Sequence, residues 1–161
     1  LPNFVRCALA GSPLEVYGDG SQSRCFCDVR DVVAAVPALV ANPACHGRVF
    51  NIGSETPITI QALAQHVIGT LASSSSISVI PYSAAYGAGF EDLRQREPSL
   101  RPIAEAIHWR PVVPLETTIL DLAAHQRAAA QSGPSPVIPG SKGNGSSVDS
   151  VRTVDSQKVV S

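Results

Sequence analysis

Apolar residues recur at helical spacing in several stretches of this chain. The clearest stripe starts at Ile60 and continues 3, 4, 7, 8 and 11 residues later, which predicts an amphipathic helix with Thr59 as its N-cap. Another apolar run follows Asp28 and Asp31, either of which can cap its helix, and Pro37 should bend that helix or weaken its second half. Further helices are predicted over residues 3–10, over 100–108 and from 114 onward.

Short apolar runs between turn residues predict strands at Leu14–Tyr17, 26–29, 47–54 and from 77. The connection "SAAYGAGFEDLRQREPSL", residues 83–100, is irregular and rich in small and charged residues, as functional loops often are. Helices interleaved with a few strands indicate a small mixed α/β unit over 1–131. Residues 132–161 are mostly Ser, Gly, Pro and Val, and that composition predicts a disordered tail.

Size and charge narrow the possible functions. The chain has 161 residues, which suggests one domain, and its net charge of −1 gives no argument for nucleic acid or an anionic membrane as a partner. No apolar run approaches the roughly 20 residues needed to span a bilayer. The sequence contains no Met, even at position 1, so we expect a fragment or a processed product.

The cysteines and histidines do not form a recognisable reactive or metal-binding set. The spacing of Cys25 and Cys27, and the adjacent pair Cys45-His46, do not match usual zinc motifs, so no metal site is predicted. We expect buried free thiols, which suit a cytoplasmic location. The four histidines are scattered, without a carboxylate or serine arranged beside them, and are interpreted as surface or packing residues.

The stretch "LEVYGDGSQSRC" places a tight turn, Gly18-Asp19-Gly20, between a strand and Arg24. Glycine lets a ligand approach the backbone closely, and the planar fork of an arginine fits phosphate oxygens better than a lysine ammonium does. The alternative is that the glycines only make a turn and Arg24 is only a solvated charge. No G-x-G-x-x-G fingerprint lies between a strand and a helix, so a dinucleotide site is not predicted.

Three motifs in order carry a family resemblance: "NFVRCALAGSPLEVYGDGSQSRCFCDVRDVVAAV", "VFNIGSETPITIQALAQHV" and "RQREPSLRPIAEAIHWRPVVPLETTI". Together they resemble the C-terminal part of the NAD-dependent epimerase/dehydratase family, the extended short-chain dehydrogenases. The most similar members are UDP-glucose 4-epimerases and UDP-glucuronate decarboxylases. The resemblance implies the substrate-binding region of such an enzyme without its N-terminal Rossmann domain.

In that family the Rossmann domain holds NAD and a catalytic Tyr-x-x-x-Lys. None of the three tyrosines here is followed four residues later by lysine, so we expect no catalytic residues and no NAD site in this chain. The resemblance assigns Arg24 to the diphosphate of a UDP-sugar. Arg94 or Arg96 would supply a second arginine, although Ser99 replaces the family's aspartate and a merely solvated loop is the alternative. The remaining expected substrate-binding residues are Asn3, Phe4, Val16, Tyr17, Gly18 and Asp19.

Three functions are compatible with this resemblance. The chain is the substrate-binding part of a nucleotide-sugar epimerase or decarboxylase, a non-catalytic nucleotide-sugar-binding module from a truncated gene, or an interaction protein. In the third case the face left open by the missing domain would contact another chain, such as a Rossmann-domain half. The resemblance also implies a homodimer, because family members usually form one. Neither the sugar nor the choice among epimerisation, decarboxylation and dehydration follows from the sequence.

Overall fold

The computed structural model describes residues 1–85 and 95–132. Its helices are α1 (Pro2–Leu9), α2 (Val29–Ala41), α3 (Ile60–Thr70), α4 (Tyr82–Ala85), α5 (Arg101–Ile107) and α6 (Leu115–Ser132). Its strands are β1 (Leu14–Tyr17), β2 (Ser23–Cys25), β3 (Pro57–Thr59), β4 (Ile77–Ile80) and β5 (Gln95–Arg96). A short 3₁₀ turn spans Pro43–Cys45.

The strands of the described residues form two small sheets. β1 pairs in parallel with β4, so that Leu14 lies opposite Ile77 and Tyr17 opposite Ile80. The second sheet has the order β3-β2-β5, in which β2 is antiparallel to β3 and parallel to β5. The predicted mixed α/β character is confirmed, although both sheets are narrower than a typical Rossmann sheet.

The first core joins the two ends of the described fold. Helices α1, α3 and α6 pack around β1, and the buried side chains are Val5, Ala8, Leu14, Val16, Leu63, Ala64, Val67, Ile119 and Ala123. The predicted stripe on α3 is confirmed, because three of these residues belong to that helix. The Gln126 side chain, in the second half of α6, donates to the carbonyl of Pro2, the first residue of α1, over 3.1 Å.

The second core lies between α2 and α5. Ala35, Leu100 and Ile103 are buried there, and partly buried Phe50 and Trp109 pack against them. The indole Nε1 of Trp109 donates to the Asp31 carbonyl over 3.1 Å, which holds the ring against this core.

Of the two candidate N-caps of α2, Asp28 is the actual cap, whereas Asp31 accepts hydrogen bonds from a distant backbone segment. The Asp28 carboxylate accepts from the backbone N–H of Arg30 over 2.9 Å, as an N-cap does. The buried Asp31 carboxylate instead accepts from the backbone N–H groups of Val112 and Val113, over 3.1 and 3.0 Å. Asp31 therefore fastens the segment between α5 and α6 to α2.

Several predicted elements are corrected by the structure. Residues 47–54 are not a strand: Gly47 lies in a turn with a left-handed φ of 73°, and no neighbouring strand pairs with the segment in the described residues. The strand expected at 26–29 lies earlier, at Ser23–Cys25, and Val29 already belongs to α2. That helix runs through Pro37 to Ala41. α6 extends to Ser132, one residue into the predicted tail, and 133–161 lie outside the described residues.

The cysteines are free thiols, as predicted, but only Cys45 is buried. Cys7, Cys25 and Cys27 are half-buried. Partial burial raises the pKa of the Cys25 thiol, with help from the negative charges of Glu97 and Glu55. The pKa of Cys27 is also raised, by burial and then by Asp31 and Asp28. A raised pKa keeps both groups as thiols at neutral pH, which is unfavourable for a nucleophile.

Candidate functional site

The largest concentration of predicted site residues surrounds an open cavity of about 450 Å³ beside α1 and the ends of β1 and β2. We call it the α1 cavity. Four of the expected residues line it: Asn3, Phe4, Tyr17 and Arg24. The other lining residues are Leu1, Arg6, Cys7, Glu15, Gln22, Ile60 and Tyr82. The volume falls in the range of about 300–1,000 Å³ that small-molecule sites occupy.

Local folding explains why these side chains meet. The Pro2–Leu9 helix buries Val5 and Ala8, which turns Asn3 and Phe4 toward the cavity. Alternation along β1 buries Leu14 and Val16, so that Glu15 and Tyr17 line the opposite side of the strand. The Tyr17 hydroxyl donates to Glu15 Oε2 over 2.8 Å, and this bond fixes the phenol ring at the cavity wall.

The turn that follows β1, Gly18-Asp19-Gly20, lies at the rim of the α1 cavity. Gly18 and Gly20 have φ values of 73° and 71°, a left-handed conformation that side-chain-bearing residues rarely adopt. The Gly18 N–H donates to the Ile80 carbonyl over 2.8 Å, and Asp19 Oδ1 accepts from the Ser21 N–H and hydroxyl over 2.9 and 2.7 Å. This arrangement is an Asx turn, which uses the Asp19 side chain for the loop itself.

Gln22 is a cavity residue that the sequence analysis missed. It is buried, and its Nε2 donates to the Tyr17 carbonyl over 2.9 Å, which ties the end of the turn back to β1. The signal available in the sequence was its position two residues before Arg24 in "GDGSQSR". A polar residue next to a turn is common, however, and its burial depends on how the turn folds back.

The two arginine candidates of the second sheet are partners in register. Arg24 on β2 lies opposite Arg96 on the parallel strand β5. Arg24 is half-buried, and its Nη1 donates to the Ser23 carbonyl over 2.7 Å. Arg94, the other candidate for a second arginine, lies outside the described residues. The positive charges known to line the cavity are those of Arg6 and Arg24, against the negative charge of Glu15.

Three expected residues do not line the cavity. Val16 is fully buried in the first core and leaves no exposed surface for a ligand. Asp19 is exposed and bonds within its own turn. Gly18 is separated from the cavity by the ring of Tyr82. Of these three residues, only Gly18 and Asp19 belong to the turn beside the α1 cavity.

Two features, a metal site and a membrane-spanning helix, are absent from the described residues. Across 1–85 and 95–132, no group of three or more His, Cys, Asp or Glu side chains is placed to hold a metal ion. In the same residues, no helix is both long enough and apolar enough to cross a lipid bilayer.

Comparisons with known proteins agree with this architecture. Residues 1–53 match the model of the NAD dependent epimerase/dehydratase family. A UDP-N-acetyl-alpha-D-glucosaminuronate decarboxylase from Bacillus cytotoxicus is 40% identical over 116 residues, which are 72% of this chain and 36% of that protein. The chain belongs to the NAD dependent epimerase/dehydratase family.

Solved structures share the fold at low sequence identity. An epimerase from Methanothermobacter thermautotrophicus superimposes with a TM-score of 0.71 at 19% identity, covering 81% of this chain and 38% of that one. A Thermotoga maritima UDP-glucose 4-epimerase with UDP-glucose gives 0.65 at 23%, covering 78% and 38%. The chain thus spans little more than a third of these relatives' length.

Proposed function

We propose that this chain is the nucleotide-sugar-binding part of an NAD-dependent epimerase/dehydratase and that it binds a UDP-sugar in the α1 cavity. One observation carries the proposal: four residues that the family resemblance assigns to the substrate, Asn3, Phe4, Tyr17 and Arg24, line a single cavity of suitable size. They come from three different elements, so their convergence is not a consequence of closeness in sequence.

The chemistry of the lining suits such a ligand. A UDP-sugar carries a diphosphate, and the cavity offers the guanidinium groups of Arg24 and Arg6, whose planar forks can donate two parallel hydrogen bonds to phosphate oxygens. In backbone register, Arg24 lies opposite Arg96, one of the two positions where the family resemblance implies a second arginine. The aromatic side chains of Phe4, Tyr17 and Tyr82 supply apolar surface for a base or a sugar ring.

The catalytic half of the reaction belongs elsewhere in this proposal. The printed sequence has no G-x-G-x-x-G fingerprint and no Tyr-x-x-x-Lys, so NAD and the acid/base tyrosine would come from a Rossmann domain outside these residues. The chain alone is then a binding unit, catalytically incomplete. Its free thiols suit the reducing cytoplasm.

Calorimetric titration of the full chain tests the proposal. UDP-glucuronic acid and UDP should both bind, whereas free glucuronic acid should not, because the diphosphate provides the charged contacts. ADP serves as the control for the base, since it keeps the diphosphate and replaces uracil. If UDP-glucuronic acid gives no saturable binding, or if ADP and UDP bind equally, the proposed UDP-sugar site is wrong.

The alternative function is that of a protein-interaction module from a truncated gene. The observation in its favour is a row of exposed valines on α2, which is unusual on a chain of this size. This property and nucleotide-sugar binding are compatible, because the valines are absent from the residues that line the α1 cavity.

A further inference from the structure

Glu15 places a negative charge in the wall of a cavity that we expect to hold a diphosphate. Alternation along β1 buries Leu14 and Val16 and leaves Glu15 on the face of the strand that lines the α1 cavity. Among the described residues of that lining, Glu15 is the one carboxylate. A carboxylate next to a diphosphate would repel it. A different part of the ligand must therefore face Glu15.

The Glu15 carboxylate has one oxygen in use and one available. The Tyr17 hydroxyl donates to Oε2 over 2.8 Å, which holds the carboxylate at the edge of the phenol ring. Arg6 lines the same cavity, but within the part of the chain that the structure describes no salt bridge joins it to Glu15. Because the Glu15 side chain is exposed, a ligand in the cavity can donate a hydrogen bond to Oε1.

The acidic and basic parts of the cavity wall are connected through Tyr17 and Gln22. Glu15 and Tyr17 are two residues apart on one face of β1, a spacing of roughly 7 Å. Gln22 Nε2 donates to the Tyr17 carbonyl over 2.9 Å, and Arg24 follows two residues after Gln22, on β2. A ligand whose diphosphate contacts Arg24 can thus extend past Tyr17 and present another of its groups to Glu15.

Aromatic surface adjoins the Glu15 carboxylate. Phe4 and Tyr17 are half-buried and line the cavity, and an aromatic ring is a stacking surface for a nucleobase. A base that stacks on Tyr17 has its own edge near the edge of the phenol ring, where Glu15 is held. When N1 of uracil carries a ribose, N3–H is the only N–H of the base. This group is the donor that a uracil ring can offer to a carboxylate oxygen.

We propose that Glu15 determines base specificity in the α1 cavity, because its Oε1 accepts a hydrogen bond from N3–H of a uracil ring stacked on Tyr17. The Tyr17 hydroxyl, by bonding to Oε2, orients the carboxylate for this contact. Cytosine presents an unprotonated N3 at the same position, and the lone pair of that nitrogen would face the negative charge. The assignment rests on the proposed function, since it takes a UDP-sugar as the ligand and Arg24 as the diphosphate contact.

Calorimetric titration with UDP and with UDP methylated at N3 tests this contact, because the methylated form keeps both phosphates and lacks the donor. The full 161-residue wild-type chain should bind UDP at least about tenfold more tightly than the methylated form, as expected for a hydrogen bond to a charged group. Glu15→Ala should bring this ratio of affinities close to one. The ratio is the readout because removing a negative charge changes the affinity of the cavity for any diphosphate.

Tyr17→Phe supplies a second readout, since it keeps the ring for stacking and removes the hydroxyl that orients the carboxylate. Its ratio of affinities should lie between those of wild type and Glu15→Ala. Glu105→Ala is the matched control: Glu105 is an exposed carboxylate on α5, outside the α1 cavity, and its loss should leave the ratio unchanged.

The proposal is overturned if Glu15→Ala keeps the wild-type ratio, or if Glu105→Ala lowers the ratio as much as Glu15→Ala does. It is also overturned if Glu15→Ala weakens the binding of UDP-glucose and leaves that of UDP unchanged, which would place the carboxylate at the sugar. The two proposals fail in different ways. Absence of any saturable UDP binding by the wild-type chain contradicts both, whereas saturable UDP binding with a ratio that Glu15 does not influence contradicts the base contact alone.

Discussion

The aromatic ring of Tyr82 lies against the α-carbon of Gly18, in the place that a β-carbon would occupy. Tyr82 follows β4 and lines the α1 cavity, while Gly18 follows β1, and the parallel pairing of these strands brings the two residues together. The absence of a side chain at position 18 thus determines where one wall of the cavity stands.

Gly18→Ala should therefore displace Tyr82 and weaken UDP-sugar binding by at least about tenfold, or about 1.4 kcal/mol. The left-handed φ of 73° should also cost roughly 1–2 kcal/mol of folding stability. Gly11→Ala is the matched control, because Gly11 has a φ of 66° and no atom of the described residues within 4 Å of its added β-carbon. Both variants should lose stability in denaturant titrations through the left-handed φ, with a further loss for Gly18→Ala from the contact with Tyr82, and only Gly18→Ala should lose affinity. Equal affinities would show that the ring position is irrelevant.

Arg24→Ala should weaken UDP-sugar binding by roughly 1.5–3 kcal/mol, the usual worth of a hydrogen bond to a charged group. Arg24→Lys should recover only part of this, because an ammonium keeps the charge but loses the fork. Uridine, which lacks phosphate, should bind wild type and both variants almost equally in calorimetry.

Arg101→Ala controls for the loss of an arginine in general, since Arg101 is well exposed on α5 and outside the α1 cavity. A parallel loss of uridine and UDP-sugar affinity in Arg24→Ala would mean that Arg24 supports the loop and not the ligand. If neither ligand is affected, Arg24 is only a surface charge.

Asp28→Asn should destabilise the fold by about 2–3 kcal/mol, because hydrogen bonds to a buried charged group are among the stronger ones. Asp28 is buried and accepts from Arg30 Nε and Nη2 over 2.8 and 2.9 Å and from the Thr118 hydroxyl over 2.8 Å. Asp121→Asn is the control: its carboxylate also contacts Arg30, at 2.8 Å, but is 58% exposed and should be worth less than about 1 kcal/mol. Equal losses in urea unfolding would contradict the role assigned to Asp28.

The Asp28 carboxylate should also make the free energy of unfolding depend on pH in the acid range. Hydrogen bonds from the side chain and then the backbone of Arg30 hold the pKa of Asp28 well below its usual range, outweighing the opposite effect of burial. Because the folded-state pKa is lower than the unfolded value of about 3.9, this stabilisation is complete well above that pH and is lost as the pH falls through the folded-state pKa. The stability difference between wild type and Asp28→Asn should stay constant from about pH 8 to 5 and shrink in stronger acid. A difference that shrinks near neutral pH would contradict this assignment.

The purified 161-residue chain should not convert a UDP-sugar when NAD is supplied, and it should not bind NAD in calorimetry. The reason is the lack of a Tyr-x-x-x-Lys pair and of a dinucleotide fingerprint in the printed sequence. The Bacillus cytotoxicus decarboxylase with its own named substrate is the positive control. Measurable turnover by this chain would require a catalytic group that its motifs do not indicate.

Local patterns predicted the elements whose residues carry their own signal. The apolar stripe of α3 and its cap at Thr59, and the short runs of β1 and β4, lie where the sequence indicated. Strands β2, β3 and β5 have three, three and two residues, too few for a periodic pattern to identify. Their existence depends on pairing between distant segments.

The candidate site was also predictable only where its residues lie in a locally recognisable pattern. Tyr17 and Arg24 are recognisable because they adjoin a distinctive turn, whereas Tyr82 reaches the cavity only through the parallel pairing of β1 and β4. The strand predicted at 47–54 was wrong because its local pattern lacks a pairing partner. Its alternation suits a strand, but a strand also needs a hydrogen-bonded neighbour, and none pairs with it in the described residues.

The contact between α1 and α6 has a consequence for how the chain folds during synthesis. The bond from Gln126 to Pro2 joins residues 124 positions apart, and Ile119 and Ala123 complete the core around Val5. A ribosome must therefore release almost the whole described fold before the first core can close. Closing so long a loop is slow relative to local helix formation. We expect α1 to leave the exit tunnel with its apolar side uncovered, so that chaperone binding to the nascent chain would concentrate at this helix until α6 arrives.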